Sequence, residues 1–599
     1  MSTFTVTNTN NSGAGSLRQQ ILNADLAGGT NIINFGGLFS DAIAHTINLT
    51  GSSLSITDNL TIEGTNASLL TIKDDSADRV FDIGKGATSA INRLTITNSY
   101  DGASGGGAIS NEGVLTLNNS IITGNTVKPD NNVLSSEVNG GGIYNTGTLT
   151  LNYSNITGNN SYDLDNGEGN GGGIYNTGTL TVSYSNITDN STTGDNYRDL
   201  GASGGAIYNT GVLTVKASKI SSNNSIDFGG GIYNSGSLTV SNSTINDNTA
   251  TYQSGGGIYN DATATVNQST ISGNTGSGGG GGIGNNGTLF VNNSTISANF
   301  ASTDDGFGGG IGNNGTLSVN HSTISGNQAY FGGGISTQGT LSVNYSIISG
   351  NTATQGGGIG YLINNYLKDI LSVSNSTISG NTATEGGGIY NYGYSADYGS
   401  LTITTSTIKD NHASTGGGIY NNGTLSITNS TISNNYASDY GGGIYNSSSN
   451  GNRSDNQLGV VNVSYSNITD NTALTAGGGI YNNADDSGDY SGTITYTQLG
   501  IINVNHSTIS GNQAHFGGGI YNDGTLTVGN SILRVNKAFG IELSSGREES
   551  GKGGGIYNSS DGTATIDYST IAGNFETPEE DSNTFIKLDN LVGKFITKG

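Results

Sequence analysis

Residues 143–159 read Ile143-Tyr144-Asn145-Thr146-Gly147-Thr148-Leu149-Thr150-Leu151-Asn152-Tyr153-Ser154-Asn155-Ile156-Thr157-Gly158-Asn159. Leu149 and Leu151 alternate with Thr148 and Thr150, a period of two that belongs to a strand and not to a helix. Ile-Tyr-Asn before them and Ser-Asn-Ile-Thr-Gly-Asn after them are short and bounded by turn residues, so the stretch predicts three short strands. It also recurs. A Gly-Gly-Gly-Ile-Tyr-Asn segment or a close variant places its Ile at 109, 143, 174, 207, 232, 258, 283, 311, 335, 359, 389, 419, 444, 480, 520 and 556, with a shortest spacing of 24 residues between 335 and 359. A unit of that size cannot bury an apolar face alone, whereas stacked copies can, each strand pairing with its equivalent one coil away. The predicted fold is all-β, a parallel β-helix with three short strands per coil of about 24 residues and aliphatic ladders made by Ile143, Leu149, Leu151, Ile156 and their equivalents. At about 4.8 Å per coil the sixteen units would extend about 77 Å.

The Asn that closes the third piece, as in Ile156 to Asn159, ends every unit from Asn125 to Asn574. Asn accepts left-handed turn geometry and its amide can bond the amide one coil away, which predicts a buried asparagine ladder. The glycine triplet suits a corner where positive φ or close backbone approach is needed.

Around this core the chain divides into four expected segments. Residues 1–29 hold a first strand and a cap helix, with Ser16 as N-cap, Gln19 completing a capping box, and Leu17, Ile21 and Leu22 on one face. Such a cap covers strand edges and core that an open solenoid end exposes. Residues 30–104 read as irregular first coils and 105–574 as the sixteen repeats. Residues 575–599, with Leu588, Phe595 and Ile596 but no glycine triplet, read as a degenerate last coil or a truncated continuation.

Composition narrows the function classes. The 599 residues include 101 Gly, 2 Pro, no Cys and no Trp, and the formal net charge is −25. The charge argues against nucleic acid or an anionic membrane as partner. Zero cysteine excludes disulfides and thiolate metal sites. No stretch approaches the ~18 apolar residues of a membrane helix, and the opening Met1-Ser-Thr-Phe-Thr-Val-Thr lacks the charged region and apolar core of a signal peptide.

These residues carry a resemblance. The opening Thr5-Val-Thr-Asn-Thr-Asn-Asn-Ser-Gly-Ala-Gly-Ser-Leu-Arg-Gln-Gln-Ile21, followed by the Gly-Gly-Gly-Ile-Tyr-Asn units, resembles the bacterial right-handed parallel β-helix repeat proteins common in cyanobacteria. Coupling of Gly-Gly-Gly-Ile to Ile-x-x-Asn is similar to the polymorphic outer membrane protein repeat, whose pattern is Gly-Gly-Ala-Ile with Phe-x-x-Asn; here Ile stands for Phe in all but one unit, where Leu533 does. The resemblance implies a right-handed, pectate-lyase-like helix and a secreted or cell-surface adhesin or matrix role. The translocating carboxy-terminal barrel of that family is not in this sequence.

A carbohydrate-active role, binding or degrading polysaccharide by lyase- or hydrolase-like chemistry, is the alternative, because pectate lyases and polygalacturonases resemble the same fold. Such reactions on uronates need clustered carboxylates and basic groups, yet no Lys or Arg occurs between Lys219 and Lys368. His45, His321, His412, His506 and His515 show no metal or triad spacing, and no catalytic residue or cofactor is assigned. Asp163 and Asp165, in Asp-Leu-Asp-Asn-Gly-Glu, have the oxygen-rich look of a Ca²⁺ loop, with Asp304, Asp305, Asp485 and Asp486 as further acidic loops; none fits a Ca²⁺-loop pattern, and solvated loops are the plainer reading.

The organised surface feature is tyrosine after the motif Ile: Tyr144, Tyr175, Tyr208, Tyr233, Tyr259, Tyr390, Tyr420, Tyr445, Tyr481, Tyr521 and Tyr557. Stacked rings one coil apart hold strand register; as exposed faces they would bind surface glycans or a protein partner. Gly284, Gly312, Ser336 and Gly360 interrupt the stripe and predict a smooth stretch with few charges. Outward Thr-x-Thr pairs such as 148/150 and 263/265 would form a flat array, broken by Phe290, Ile370, Asn462 and Asn503. Longer units carry insertions at 126–139, 160–170, 190–203, 446–458 and 482–499, where a solenoid's interaction loops lie. The sequence thus points to a non-enzymatic extracellular β-helix whose repeated polar and Tyr-lined faces bind by many weak contacts.

Overall fold

The structure is a computed structural model describing residues 1–598 except 77, 98, 102–104, 129–137, 164–168, 195–200, 303–305, 363–369, 394–399, 449–458, 486–497, 543–547 and 578–586. It comprises two compact units, Met1–Ser302 and Thr303–Gly599. Each is a parallel β-helix.

In the first unit the coil that begins at Ile143 runs through Ile143–Asn145, Thr148–Asn152, Asn155–Thr157 and Asn160–Asp163. The predicted three strands are present, and a short fourth follows. Like residue lies over like residue on the next coil, Ile143 on Ile174, Leu149 on Leu180 and Ile156 on Ile187. Ile143, Leu149, Leu151 and Ile156 are fully buried, because alternation sends every second side chain of each strand inward. The second unit repeats the plan, with Ile419 on Ile444, Leu401 on Leu425 and Ile408 on Ile432.

The fourth strand escapes the sequence pattern because its inward position is small in most coils. Ala250 pairs with Gly276 and, in the second unit, Ala437 with Ala473; Ala437, Ala473 and Ala514 form a small buried cluster. No aliphatic alternation marks such a strand. Its backbone lies against the glycine corner: a Cβ on Gly256 would sit 2.4 Å from the Thr275 carbonyl oxygen. The corner and the fourth strand therefore require each other.

Three buried polar ladders run alongside the aliphatic ones. In the predicted ladder Asn125 Nδ2 donates to Asn159 Oδ1 at 2.8 Å, and the chain of amides continues through Asn190, Asn223, Asn248 and Asn274. The second unit has its own run, from Asn327 to Asn351 at 2.9 Å and onward to Asn574. A second ladder is made by the Asn of Ile-Tyr-Asn, as in Asn145 Nδ2 to Asn176 Oδ1 at 2.6 Å. A third uses serine hydroxyls that accept from backbone N–H groups one coil away, as Ser154 N to Ser185 Oγ at 3.0 Å. All these groups are buried, and each ladder satisfies polar atoms that desolvation would otherwise penalise.

At the amino end, Leu17–Ala27 is an α-helix whose N-cap Ser16 accepts from the Gln19 N–H at 3.2 Å. The Gln19 side chain bonds Asn23 instead of closing the capping box. Leu17, Ile21 and Ala24 face inward while Leu22 is exposed, a correction to the predicted face: Leu22 lies about 100° around the helix from Ile21. Near the other end Leu591–Val592 and Phe595–Lys598 pair in parallel with the preceding coil.

Candidate functional site

The motif tyrosines stand on the outward side of the first strand, where sequence alternation puts them. They are not free platforms. Tyr144, Tyr175, Tyr208, Tyr233 and Tyr259 stack in the first unit with ring centroids 4.5–5.6 Å apart. Tyr390, Tyr420, Tyr445, Tyr481, Tyr521 and Tyr557 stack in the second at 4.8–5.2 Å. Ring faces cover one another, leaving edges and hydroxyls to contact solvent, and Tyr259 and Tyr390 are buried. The geometry matches the register-holding role of cross-strand aromatic pairs.

In some coils an aromatic residue just before the glycine corner adds a further layer. Phe228 lies 4.3 Å from Tyr259, Tyr440 4.9 Å from Tyr481 and Phe516 5.5 Å from Tyr557, between centroids. This layer also revises the smooth stretch expected where the tyrosines lapse. Above Gly360 the buried ring of Phe331 occupies the place of the missing tyrosine, so close that a Cβ on Gly360 would meet Phe331 Cε1 at 2.7 Å. Phe331 also meets Tyr390 edge-on at 5.8 Å.

Burial shifts the phenols of the ladder. It pushes Tyr233 and Tyr259 up to about 12, with the negative Asp261 adding to the effect, and Tyr521 up to about 12 with help from Asp523. Tyr420 and Tyr481 are raised further by burial. Tyr233 Oη donates to Asp261 at 3.3 Å, and Asn286 Nδ2 donates to Tyr259 Oη at 2.5 Å. Between pH 10 and 12 an unfolded tyrosine has lost its proton while these keep theirs, so the unfolded state binds fewer protons and stability falls as pH rises. We expect cooperative loss of near-ultraviolet circular dichroism in that window, with phenolate absorbance rising in step with unfolding; phenolate appearing in full below pH 10.5 with the fold intact would contradict the stacked burial.

Sequence reasoning missed a second aromatic series. The residue between the second and third strands of each coil has a left-handed backbone, φ near +50°, and five times it is tyrosine: Tyr153, Tyr184, Tyr345, Tyr465 and Tyr568. All five are more than half exposed, at 61%, 51%, 54%, 60% and 72%. Tyr153 and Tyr184 stack at 5.0 Å; His321 stacks on Tyr345 at 4.9 Å and His506 on Tyr465 at 5.0 Å. The shared place of His321 and His506 before Ser-Thr-Ile was the available signal, and Tyr153, Tyr184, Tyr345, Tyr465 and Tyr568 occupy that same place.

The remaining histidines are separate. His45 Nε2 contacts Asp41 Oδ1 at 2.9 Å, which holds the Asp41 carboxyl below its ordinary range. His412 leans on Tyr436, and buried His515 contacts the Phe539 carbonyl through Nδ1 at 2.8 Å. Among the described residues no three His, Asp or Glu side chains are grouped to hold a metal. Asp163 ends a fourth strand, while Asp165, Asp304, Asp305, Asp486 and most of the insertions lie outside the described residues. Also among the described residues, no helix is long and apolar enough to cross a membrane. The second-strand threonines do point outward as an array, Thr148 and Thr150 flanking buried Leu149.

A family model, the Chlamydia polymorphic membrane protein repeat, matches residues 429–447. That span holds the third strand Thr431–Ser433, the ladder residue Asn435, the fourth strand Tyr436–Tyr440 and the glycine corner leading into Ile444–Asn446. No curated protein matches the chain. Two solved structures are similar over its whole length at 11% identity: an alginate lyase of the PL6 family, covered to 97% with a TM-score of 0.27, and the A-module of a mannuronan C-5 epimerase from Azotobacter vinelandii, covered to 99% with a TM-score of 0.15. At that level of superposition neither bears on what this chain does. The chain is a parallel β-helix repeat protein, similar in its repeat to the Chlamydia polymorphic membrane proteins.

Proposed function

We propose that the protein is a non-catalytic, cell-surface or extracellular β-helix that works as an adhesin or matrix component. The observation that carries this reading is the repetition of one outward surface: coil after coil presents Thr, Ser and Asn from the second and third strands at the same positions, one coil apart. Identical weak sites at fixed spacing sum by avidity without any single tight pocket. The polymorphic membrane protein repeat supports a surface setting. Glycans or surface proteins are the proposed partners, and the acidic chain repels polyanions.

The test is incubation of the purified chain, with and without Ca²⁺, on neutral and uronate-rich insoluble polysaccharides, recording both protein retained on the polymer and soluble sugar released. Retention without product is the expected result. Release of oligosaccharide or unsaturated uronate would overturn the reading in favour of an enzyme.

A further inference from the structure

We infer that the exposed left-handed tyrosines, Tyr153, Tyr184, Tyr345, Tyr465 and Tyr568, are stacking platforms for the sugar rings of an uncharged polysaccharide. This rests on the adhesive reading above and names its ligand class and contact residues. Three independent features of these five side chains lead to it.

Their backbone is unfavourable for what they are. A non-glycine residue in the left-handed region pays roughly 1–2 kcal/mol, and only Asn and Asp reach it cheaply through local hydrogen bonds. Asn does hold this position at 119, 242, 293, 375, 429 and 530. Tyrosine there gains no core contact, since the rings are more than half exposed. The turn imposes this backbone on each coil, and a costly tyrosine there, rewarded by no more than a one-sided ring stack, marks a surface kept for contact with something else.

Their ring faces are accessible where those of the inner ladder are not. Each is stacked on at most one side. The next coil beyond Tyr345 offers exposed Asn375, beyond Tyr153 exposed Asn119, beside Tyr465 exposed Asn429 and beside Tyr568 exposed Asn530, while Tyr184 is followed by Ala217. These short side chains reach less far out than a phenol ring, so the outer part of each ring face stays open, with an amide beside four of them. An apolar ring face next to a hydrogen-bonding amide suits a pyranose, which has an apolar C–H face and a rim of hydroxyls.

Their placement allows several to act on one polymer. In the second unit Tyr345 and Tyr465 occupy the same turn four coils apart, roughly 19 Å at 4.8 Å per coil, and Tyr568 lies three coils further on. A chain lying along this turn would meet successive platforms and bind by avidity. The ligand is uncharged because the chain's net charge of −25 disfavours uronates and sulfated sugars.

The experiment compares the full chain with a variant carrying Tyr153→Asn, Tyr184→Asn, Tyr345→Asn, Tyr465→Asn and Tyr568→Asn. Asn is native to this turn, so the variant should keep its near-ultraviolet signal from the inner ladder and unfold at the same or a higher temperature. The probes are insoluble cellulose, chitin and β-1,3-glucan, with alginate as the anionic polymer. Expected is retention on at least one neutral polymer, unaffected by 0.5 M NaCl, with apparent affinity at least tenfold weaker in the variant. Equal retention of both proteins would overturn the platform role while leaving the adhesive reading intact. Retention on alginate alone, lost in salt, would overturn the ligand class. Retention of the native chain on none of the polymers would overturn the inference together with glycan adhesion.

Discussion

Asn248→Leu should destabilise the first unit by on the order of 5 kcal/mol, although the side chains are similar in volume. Asn248 is fully buried in the middle of the first polar ladder. Its Nδ2 donates to Asn274 Oδ1 at 2.9 Å and to the carbonyls of Ile220 and Asn246, each at 3.1 Å. Its Oδ1 accepts from both Asn223 Nδ2 at 2.9 Å and the Asn223 backbone N–H at 3.0 Å. Leucine removes all five bonds and leaves the Asn223 backbone N–H and the Ile220 carbonyl without these partners in a dry site, where each unsatisfied group costs about 1–3 kcal/mol, while the Asn246 carbonyl keeps its bond from the Ser222 N–H at 3.2 Å. Coupling along the ladder makes the loss larger than that of an isolated bond. The control is Asn267→Thr, on the outward face, where the lost contact is a part-buried bond from Asn292 at 3.0 Å and threonine already serves at the equivalent Thr404 and Thr428; it should cost less than about 1 kcal/mol. Urea unfolding measures the difference. Because each coil contacts only its neighbours, the damaged variant should also show early amide exchange confined to coils near residues 223–274. Equal effects of the two substitutions would mean that the ladder contributes no more than a surface amide.

Gly256→Ala should cost about 4 kcal/mol, and Gly257→Ala, one residue on, distinctly less. The three positions of the glycine triplet are constrained differently. Gly255 has φ +76°, which glycine reaches without strain. Gly256 has no conformational reason, but a Cβ there would lie 2.4 Å from the Thr275 oxygen and 2.5 Å from the Gly281 oxygen, both backbone atoms of the adjacent coil. Relief requires separating the coils and weakening bonds such as Gly257 N to Gly282 O at 3.0 Å. A Cβ on Gly257 would meet the Gly282 oxygen at 2.7 Å, yet alanine already stands at the equivalent Ala108 and Ala206, and Ala206 N still bonds Gly231 O at 3.1 Å. The backbone yields at the third position and is clamped from two sides at the second. Differential scanning calorimetry on the two variants decides this, and equal losses would place the constraint in the turn itself and not between coils.

Much of the architecture was legible because it is periodic. The pattern of Ile143, Leu149, Leu151 and Ile156, recurring through sixteen units with insertions only between its pieces, determined strand, parallel stacking and register at once, since any slip would turn aliphatic side chains outward. The ladder through Asn159 was equally readable, because the Asn recurs at one position where a turn needs left-handed geometry. The ladder through Asn145 stands beside the same Ile and was not recognised, since it needs the side chain to turn inward at a strand end, which the spacing does not reveal.

What the tertiary structure alone decided concerns small residues and exposure. The fourth strand shows no pattern because its inward residues are mostly Ala, Ser and Gly, with Val127 and Thr192 as exceptions, which suits the close approach of the glycine corner. The tyrosines after the motif Ile are outward by alternation, but stacking at about 5 Å consumes their faces, so the stripe that composition made conspicuous is largely sealed. The tyrosines at the left-handed turn are scattered in sequence and open in space. Sequence by itself determined the coil, its register and its buried ladders, because apolar periodicity and turn chemistry are local; which aromatic faces reach solvent was decided by neighbouring coils, because exposure depends on what lies one turn of the helix away.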